Sequence, residues 1–160
     1  SGAYLQSAFI RNITTAKITF LDGSVQESAM ATNAVAERKF DASVSTVTLS
    51  GTLVNIASVT IGKNTADYIE VDAVVRIESQ PKLNDNQAEV EVRLREGTTE
   101  VDTQILKFPA PGELQVARLK FMVDSGNGNR TYSVIARVNA GAAIIGRRSL
   151  AAKRDKKSNA

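Results

Sequence analysis

The chain of 160 residues contains no cysteine, no histidine and no tryptophan, and only three prolines. Without cysteine it can form neither a disulfide nor a thiolate metal site, and it has no cysteine nucleophile. Without histidine it lacks the most common general base and the most common transition-metal ligand. These absences argue against an enzyme. We predict no catalytic residue, no metal site, no cofactor and no small-molecule substrate.

Long apolar runs are also missing. None approaches the roughly 20 residues that a membrane-spanning helix needs, so we expect no membrane span. The composition, 42% hydrophobic and 23% charged, is typical of a folded globular domain. Charge is concentrated at one end, because residues 147–160 contain six basic residues and one acidic residue in a chain whose net charge is +3.

Alternating apolar and polar residues indicate about eight β-strands between residues 44 and 151. The clearest case is residues 88–96, where Val90, Val92 and Leu94 alternate with charged residues. Turn-forming residues recur between the strands, and no helix-length segment separates them. This pattern favours an all-β fold, an antiparallel two-sheet sandwich. With eight strands the jelly-roll type is favoured, and an immunoglobulin-like sandwich is the alternative.

We therefore divide the chain into three parts. Residues 1–43 form an N-terminal extension, with a hairpin at Asp22-Gly23 and a short helix within residues 24–40. Residues 44–152 form the jelly-roll sandwich, in which residues 124–129 are expected to make a hairpin loop. Residues 153–160 are expected to form a basic disordered tail.

Four apolar residues occupy strand positions that should face water, namely Val74, Val116, Met122 and Ile135. Singly, each would be ordinary for a protein surface. Together on one sheet they would form a patch that a protein partner covers, so we interpret them as candidate subunit-interface residues. The alternative is that the N-terminal segment of the same chain covers them.

The N-terminal run GAYLQSAFI, residues 2–10, is apolar and uncharged. Such a segment can add a strand or an apolar plug to the edge of a neighbouring subunit. We interpret it as a candidate inter-subunit connector, carried by Tyr4, Leu5, Phe9 and Ile10.

Charged residues on the strands have a simpler interpretation than catalysis. Carboxylates on two strands could do acid–base chemistry if one were desolvated. Cross-strand ion pairs with nearby arginines explain the same pattern without chemistry. The carboxylates are Glu70, Asp72, Glu89 and Glu91, and the arginines are Arg76, Arg93 and Arg95.

Two other functions stay open at this point. A ligand- or carbohydrate-binding adhesion module usually presents exposed aromatic residues, and the chain offers only three tyrosines for that purpose. A viral or phage coat protein would use the basic residues 147–160 on its genome. That segment has no interleaved aromatic residues for base stacking, so nucleic-acid binding is disfavoured.

Several short motifs follow one another in a distinctive order within residues 50–154. IASV at residues 56–59 is followed by Val71-Asp72, by an arginine-bearing strand at residues 93–95 and by Val123-Asp124. Thr131-Tyr132 and the ending RSLA at residues 148–151 complete the order. In this order the chain resembles jelly-roll domains of the tumour-necrosis-factor and complement-globular-head type, in the version carried by Bacillus-type spore-surface proteins and some phage fibres. It departs from them at residues 96–119, where the stretch between these motifs is short.

The resemblance implies a homotrimer in which the jelly-roll sheets pack about a threefold axis. It also implies a non-enzymatic role, as a structural subunit of a cell-, spore- or virion-surface fibre. The expected location is extracellular or on a spore or virion surface. We also expect the trimers to stack head to tail into a filament, with residues 1–12 docked into the neighbouring unit.

Overall fold

The computed structural model of the chain describes residues 36–156. These residues form nine β-strands and no helix, so the all-β prediction is confirmed for them. The strands are β1 Glu37–Ser43, β2 Val47–Thr48, β3 Val54–Lys63, β4 Asp67–Gln80, β5 Ala88–Glu96, β6 Thr99–Phe108, β7 Leu114–Val123, β8 Gly128–Ala140 and β9 Ala142–Lys156.

The strands form two antiparallel sheets. The first sheet has the order β1-β9-β4-β7, with β2 also paired to β9, and the second sheet has the order β3-β8-β5-β6. From β2 onward within the described residues, each connection crosses between the sheets except the β5–β6 hairpin. Gly97 provides the positive φ of 59° that this two-residue hairpin loop requires. The crossing order is that of a jelly roll, so the predicted sandwich of this type is confirmed.

The core lies between the two sheets. On β4, alternate residues point inward, and Ile69, Val71, Ala73, Val75 and Ile77 are each at most 1% exposed. The second sheet supplies the facing residues, among them Tyr132 and Val134, which are fully buried. Burying one aliphatic side chain of this size contributes about 1.5–3 kcal/mol, so the period-two alternation is the main determinant of the fold.

β1 is a strand that the sequence pattern did not predict. It pairs with β9 along its whole length, from Glu37 opposite Arg154 to Ser43 opposite Arg148. The predicted helix is therefore wrong at residues 37–40, and the sandwich begins before residue 44. The physical reason is that β1 carries polar residues on both faces, so that its conformation comes from hydrogen bonding to β9 rather than from alternation.

The C-terminal boundary also differs from the prediction, because β9 continues to Lys156. Arg154 is 1% exposed. Its guanidinium donates hydrogen bonds to Glu37 Oε2 at 3.0 Å and to the Gly62 carbonyl oxygen at 2.9 Å. Residues 153–156 thus belong to the sandwich, and a disordered tail starting at residue 153 is wrong for them. Residues 157–160, the Asp22-Gly23 hairpin and residues 24–35 lie outside the described part of the chain.

Residues 124–127 connect different sheets, since β7 belongs to the first sheet and β8 to the second. The predicted hairpin at residues 124–129 is therefore wrong. Glycine and asparagine indicate that the chain turns, but the same residues serve a turn within a sheet and a crossing between sheets. Which of the two occurs depends on the packing of the inner faces.

Arg148 joins the two sheets from an inward position on β9, where it is 8% exposed. It donates to the Ile56 carbonyl oxygen at 2.7 Å, beside the irregularity of β3 between Asn55 and Ala57. It also donates to the Ser45 carbonyl oxygen at 2.6 Å. Because inward and outward positions alternate, the preceding residue, Arg147, is exposed on the outer face of the first sheet.

Candidate assembly surface

The outer face of the first sheet exposes apolar side chains along β7. Leu114 is 50% exposed, Val116 is 44% exposed and Met122 is 61% exposed, and all three project from the same face of this edge strand. Val74 on β4 lies beside them, opposite Arg118 of β7. Of the four predicted interface residues, the structure thus brings Val74, Val116 and Met122 to one face.

Ile135 does not share that face. It lies on β8 in the second sheet, opposite Asn55 on one side and Arg93 on the other. It is 7% exposed, although its side chain points away from the core. The expectation that all four residues lie together on one sheet is therefore wrong for Ile135. Alternation identifies outward positions, but it does not say which sheet a strand joins.

A groove of about 710 Å³ lies on the outer face of the first sheet. Its lining includes the inward Arg148 and, from outward or loop positions, three valines and three arginines: Val44, Val74, Val116, Arg76, Arg118 and Arg147. We call this feature the arginine groove. It was missed at the sequence level because these residues come from the β1–β2 connection and from three strands that are distant in sequence.

Strand pairing brings the arginines together. Arg76 on β4 is directly opposite Val116 on β7, and Arg118 on β7 is directly opposite Val74, two residues further along the strands and on the same face. On the other side of β4, the β9 register shifts between Val75 and Ile77, which leaves Arg147 next to Arg76. Within residues 36–156, no carboxylate lies within 4.0 Å of these three guanidinium groups. Neighbouring like charges on a sheet are destabilising, so the isolated face carries an electrostatic cost.

The outer face of the second sheet has a different arrangement. Glu91 is largely buried, and its Oε1 accepts hydrogen bonds from Arg93 Nε at 2.9 Å and Nη2 at 2.7 Å. Its Oε2 accepts a hydrogen bond from Arg137 Nε at 2.7 Å. Arg93 belongs to the same strand as Glu91, whereas Arg137 lies directly opposite Glu91 on β8. The predicted cross-strand pairing of charged residues is therefore seen for Glu91 through Arg137, but not for Arg76.

The pKa of Glu91 follows from this geometry. Burial raises the pKa of its carboxyl group, but the hydrogen bonds and charges of Arg93 and Arg137 outweigh burial and lower the pKa below its ordinary value. Glu91 is therefore ionised at neutral pH and neutralises part of its own surface. The arginine groove has no equivalent carboxylate within the described residues.

Side chains close the gaps between the two sheets at the centres of their edges. Gln104 Oε1 accepts from the Arg118 backbone N–H at 2.9 Å, and Asp102 Oδ2 accepts from the Lys120 N–H at 2.9 Å. At the opposite side, Asp41 Oδ2 accepts from the Ser58 N–H at 2.9 Å. Unpaired edge groups are templates for strand addition. At these positions the backbone donors of β7 and β3 are already bonded.

Other predicted features are placed as follows. Tyr4, Leu5, Phe9 and Ile10 lie outside the described residues, so the connector stays a prediction. Within residues 36–156, no group of three or more acidic side chains is arranged to hold a metal ion. No helix long and apolar enough to cross a membrane occurs in that same part of the chain.

The class defined by these observations is an antiparallel jelly-roll sandwich with an exposed, partly apolar outer face. Comparison of the fold with solved structures finds a Bacillus endospore appendage, described as belonging to a family of disulfide-linked pili. The identity is 17%, the TM-score is 0.37, and the match covers 79% of this chain and 94% of that one. The 160 residues contain no cysteine, so they cannot form such a disulfide.

Two further structural matches concern viruses. A chain in the structure of the infectious bursal disease virus Gx strain matches with 9% identity and a TM-score of 0.46, over 79% of this chain and 33% of that one. The enzymatically active domain of bacteriophage CBA120 tailspike protein 4 matches with 9% identity and a TM-score of 0.28, over 72% of this chain and 19% of that one. No family model and no curated protein matches the sequence.

Proposed function

We propose that the chain is a structural subunit of a cell-, spore- or virion-surface fibre, and that it assembles as a homotrimer through the outer face of the first sheet. The observation that carries the proposal is the row of exposed apolar residues on β7 beside the arginine groove. Water-exposed apolar side chains grouped on one face are typical of protein interaction sites. An extracellular, spore-surface or virion-surface location follows from this role.

The edge geometry favours contact through a face. Strand addition needs free N–H and C=O groups along an edge. At the centres of β3 and β7 the N–H groups of Ser58, Arg118 and Lys120 are bonded to side chains of the same chain. The apolar side chains on the outer face of the first sheet are not covered in this way by the described residues. Burying them against another subunit is favourable because it removes apolar surface from water.

The other functions have less support from the described residues. Tyr132 is fully buried and its hydroxyl donates to Glu96 Oε2 at 2.8 Å, so it is not available to stack on a sugar. Arg154 is bonded to Glu37, and Lys156 Nζ lies 2.7 Å from Asp67 Oδ1. These two ion pairs engage basic residues that a genome-binding tail would need.

A matched pair of substitutions tests the trimer. Val116→Gln replaces an apolar side chain of the proposed interface with a polar one, whereas Ile105→Gln makes the same kind of change on the outer face of β6, the edge strand of the second sheet. By sedimentation equilibrium of the full chain, we expect a trimer for wild type and for Ile105→Gln. Val116→Gln should weaken association at least tenfold. A strictly monomeric wild type at high micromolar concentration contradicts the proposal.

The N-terminal connector is tested separately. Deletion of residues 1–12 should leave trimers intact but abolish filaments in electron micrographs. Polar replacement of Tyr4, Leu5, Phe9 and Ile10 should have the same effect, while Arg11→Ser, a neighbouring change that keeps the apolar side chains, should not. Filaments that persist after deletion exclude this segment as the link between trimers.

A further inference from the structure

We propose that the arginine groove receives Glu70 and Asp72 of a second copy of this chain, so that the two halves of one sheet face form a head-to-tail contact. The inference rests on the proposed function, and it names the part of the neighbouring subunit that meets the groove. We call Glu70 and Asp72 the acidic strip.

The arginine groove forms the basic half of the face, and its positive charge is not neutralised by ion pairs within the described residues. Arg76, Arg118 and Arg147 are exposed around an apolar floor, and no ion pair joins them to any carboxylate within residues 36–156. Glu78 follows Arg76 on the same face of β4, but it lies beyond 4.0 Å of the arginines. Arginine binds carboxylates through paired hydrogen bonds, so the partner best suited to this groove presents carboxylate groups next to apolar side chains.

The acidic strip has that composition. Glu70 and Asp72 lie on the same face of β4 as Arg76, beyond Val74, and Met122 is directly opposite Glu70. Among residues 36–156, Lys120 is the one ion-pair partner of Asp72, at 3.6 Å, and both side chains are more than half exposed. Exposed pairs of this kind contribute little, so Asp72 can exchange its partner at low cost.

The lysines near the acidic strip do not cancel this complementarity. Lys153 is directly opposite Glu70, but its Nζ lies 3.1 Å from Asp155 Oδ2, which neutralises it locally. Lys120 faces Asp72, and Arg38 lies one strand further out, directly opposite Lys153. Cations thus lie around the strip, but the strip itself consists of two carboxylates beside Met122, whereas the groove presents three outward arginines together with valines.

Opposite charges at the two ends of one face favour a heterologous contact. The basic half of one copy meets the acidic half of the next, and the contact repeats around a closed ring when the rotation permits. A homotrimer is such a ring. Two basic halves repel each other, so the charges favour the head-to-tail arrangement over one in which like halves meet.

Charge reversal tests this contact with three variants of the full chain. The first carries Arg76→Glu, Arg118→Glu and Arg147→Glu, and the second carries Glu70→Lys and Asp72→Lys. The third combines all five changes and restores complementarity with exchanged signs. By sedimentation equilibrium, we expect each partial variant to associate at least tenfold more weakly than wild type, and the combined variant to form trimers again.

Two controls separate the outcomes. Lys107→Glu reverses an exposed cation on the outer face of β6, in the second sheet, and it should leave association unchanged. Circular dichroism melts of all variants report whether the sandwich is folded. A monomeric wild type overturns the proposed function itself. A trimeric wild type whose association is unaffected by either partial reversal, or is not restored in the combined variant, overturns the head-to-tail contact alone.

Discussion

The outer faces of the two sheets differ in whether their charged side chains are paired and their apolar side chains are buried. On the second sheet, Glu91 is bonded by Arg93 and Arg137, and Ile135 beside them is largely buried. On the first sheet, three arginines have no carboxylate partner within residues 36–156, and Met122 is 61% exposed. Alternation alone therefore does not identify a face that stays in contact with water. A face whose charges are paired within the chain can stay in water. A face with unpaired arginines and exposed apolar side chains is better suited to contact with a partner.

The largest expected effect on stability is on the outer face of the second sheet. Glu91→Gln removes the carboxylate that accepts from two arginines and leaves Arg93 and Arg137 repelling each other. We expect a loss of about 2 kcal/mol in the free energy of unfolding, measured by chemical denaturation. Glu89→Gln on the same face is the control, since Glu89 accepts only one exposed hydrogen bond, from Asn139. Equal losses in both variants contradict the role given to Glu91.

Lowering the pH should reduce the difference in stability between wild type and Glu91→Gln. Because Glu91 has a pKa lowered from 4.5, its contribution to stability is present above that pH and is lost as pH falls through the lower, folded-state value. The stability difference between wild type and Glu91→Gln should therefore be constant near neutral pH and shrink below about pH 4.5. Denaturation curves over this range report it. A difference that grows on acidification excludes the assignment.

A smaller effect is expected where a side chain closes the edge of the first sheet. Asp102→Ala frees the Lys120 N–H and should cost about 1 kcal/mol, with a greater tendency to aggregate through β7. Asp102→Asn keeps an acceptor and should recover most of the loss. Asp124→Ala makes the same change of charge at an exposed position, and it should be nearly neutral in light scattering and denaturation.

The smallest effect on stability is expected on the outer face of the first sheet. Arg76→Gln in the monomer, at concentrations below association, should change the free energy of unfolding by no more than about 0.5 kcal/mol, with either no change or slight stabilisation. Arg137→Gln, the corresponding loss on the second sheet, should be destabilising because it removes a partner of Glu91. If Arg76→Gln costs as much as Arg137→Gln, the two faces do not differ as described.

Much of the fold could be predicted from sequence because burial imposes a period of two on strands. Residues 88–96, where the alternation is clearest, coincide with β5. β1 could not be predicted in this way, since Phe40 is 70% exposed and its polar neighbours alternate weakly. Its register comes from β9, a strand about a hundred residues away, and no local pattern contains that information.

The candidate surface was only partly predictable. Val74, Val116 and Met122 were recognised as apolar residues in outward positions, and the structure places them on one face. The arginine groove was not recognised, because the closeness of Arg76 and Arg147 depends on the shift in register between β4 and β9. The connector residues Tyr4, Leu5, Phe9 and Ile10 stay a prediction.

By itself, the sequence determined which side chains of each strand avoid water, because alternation and residue type depend only on local chemistry. It also excluded thiol and imidazole chemistry within these 160 residues. Tertiary structure alone decided which strands share a sheet, which charges meet, and which outward residues become neighbours. Those outcomes depend on contacts between residues distant in the chain, and the free energy of such contacts appears only when the two sheets pack together.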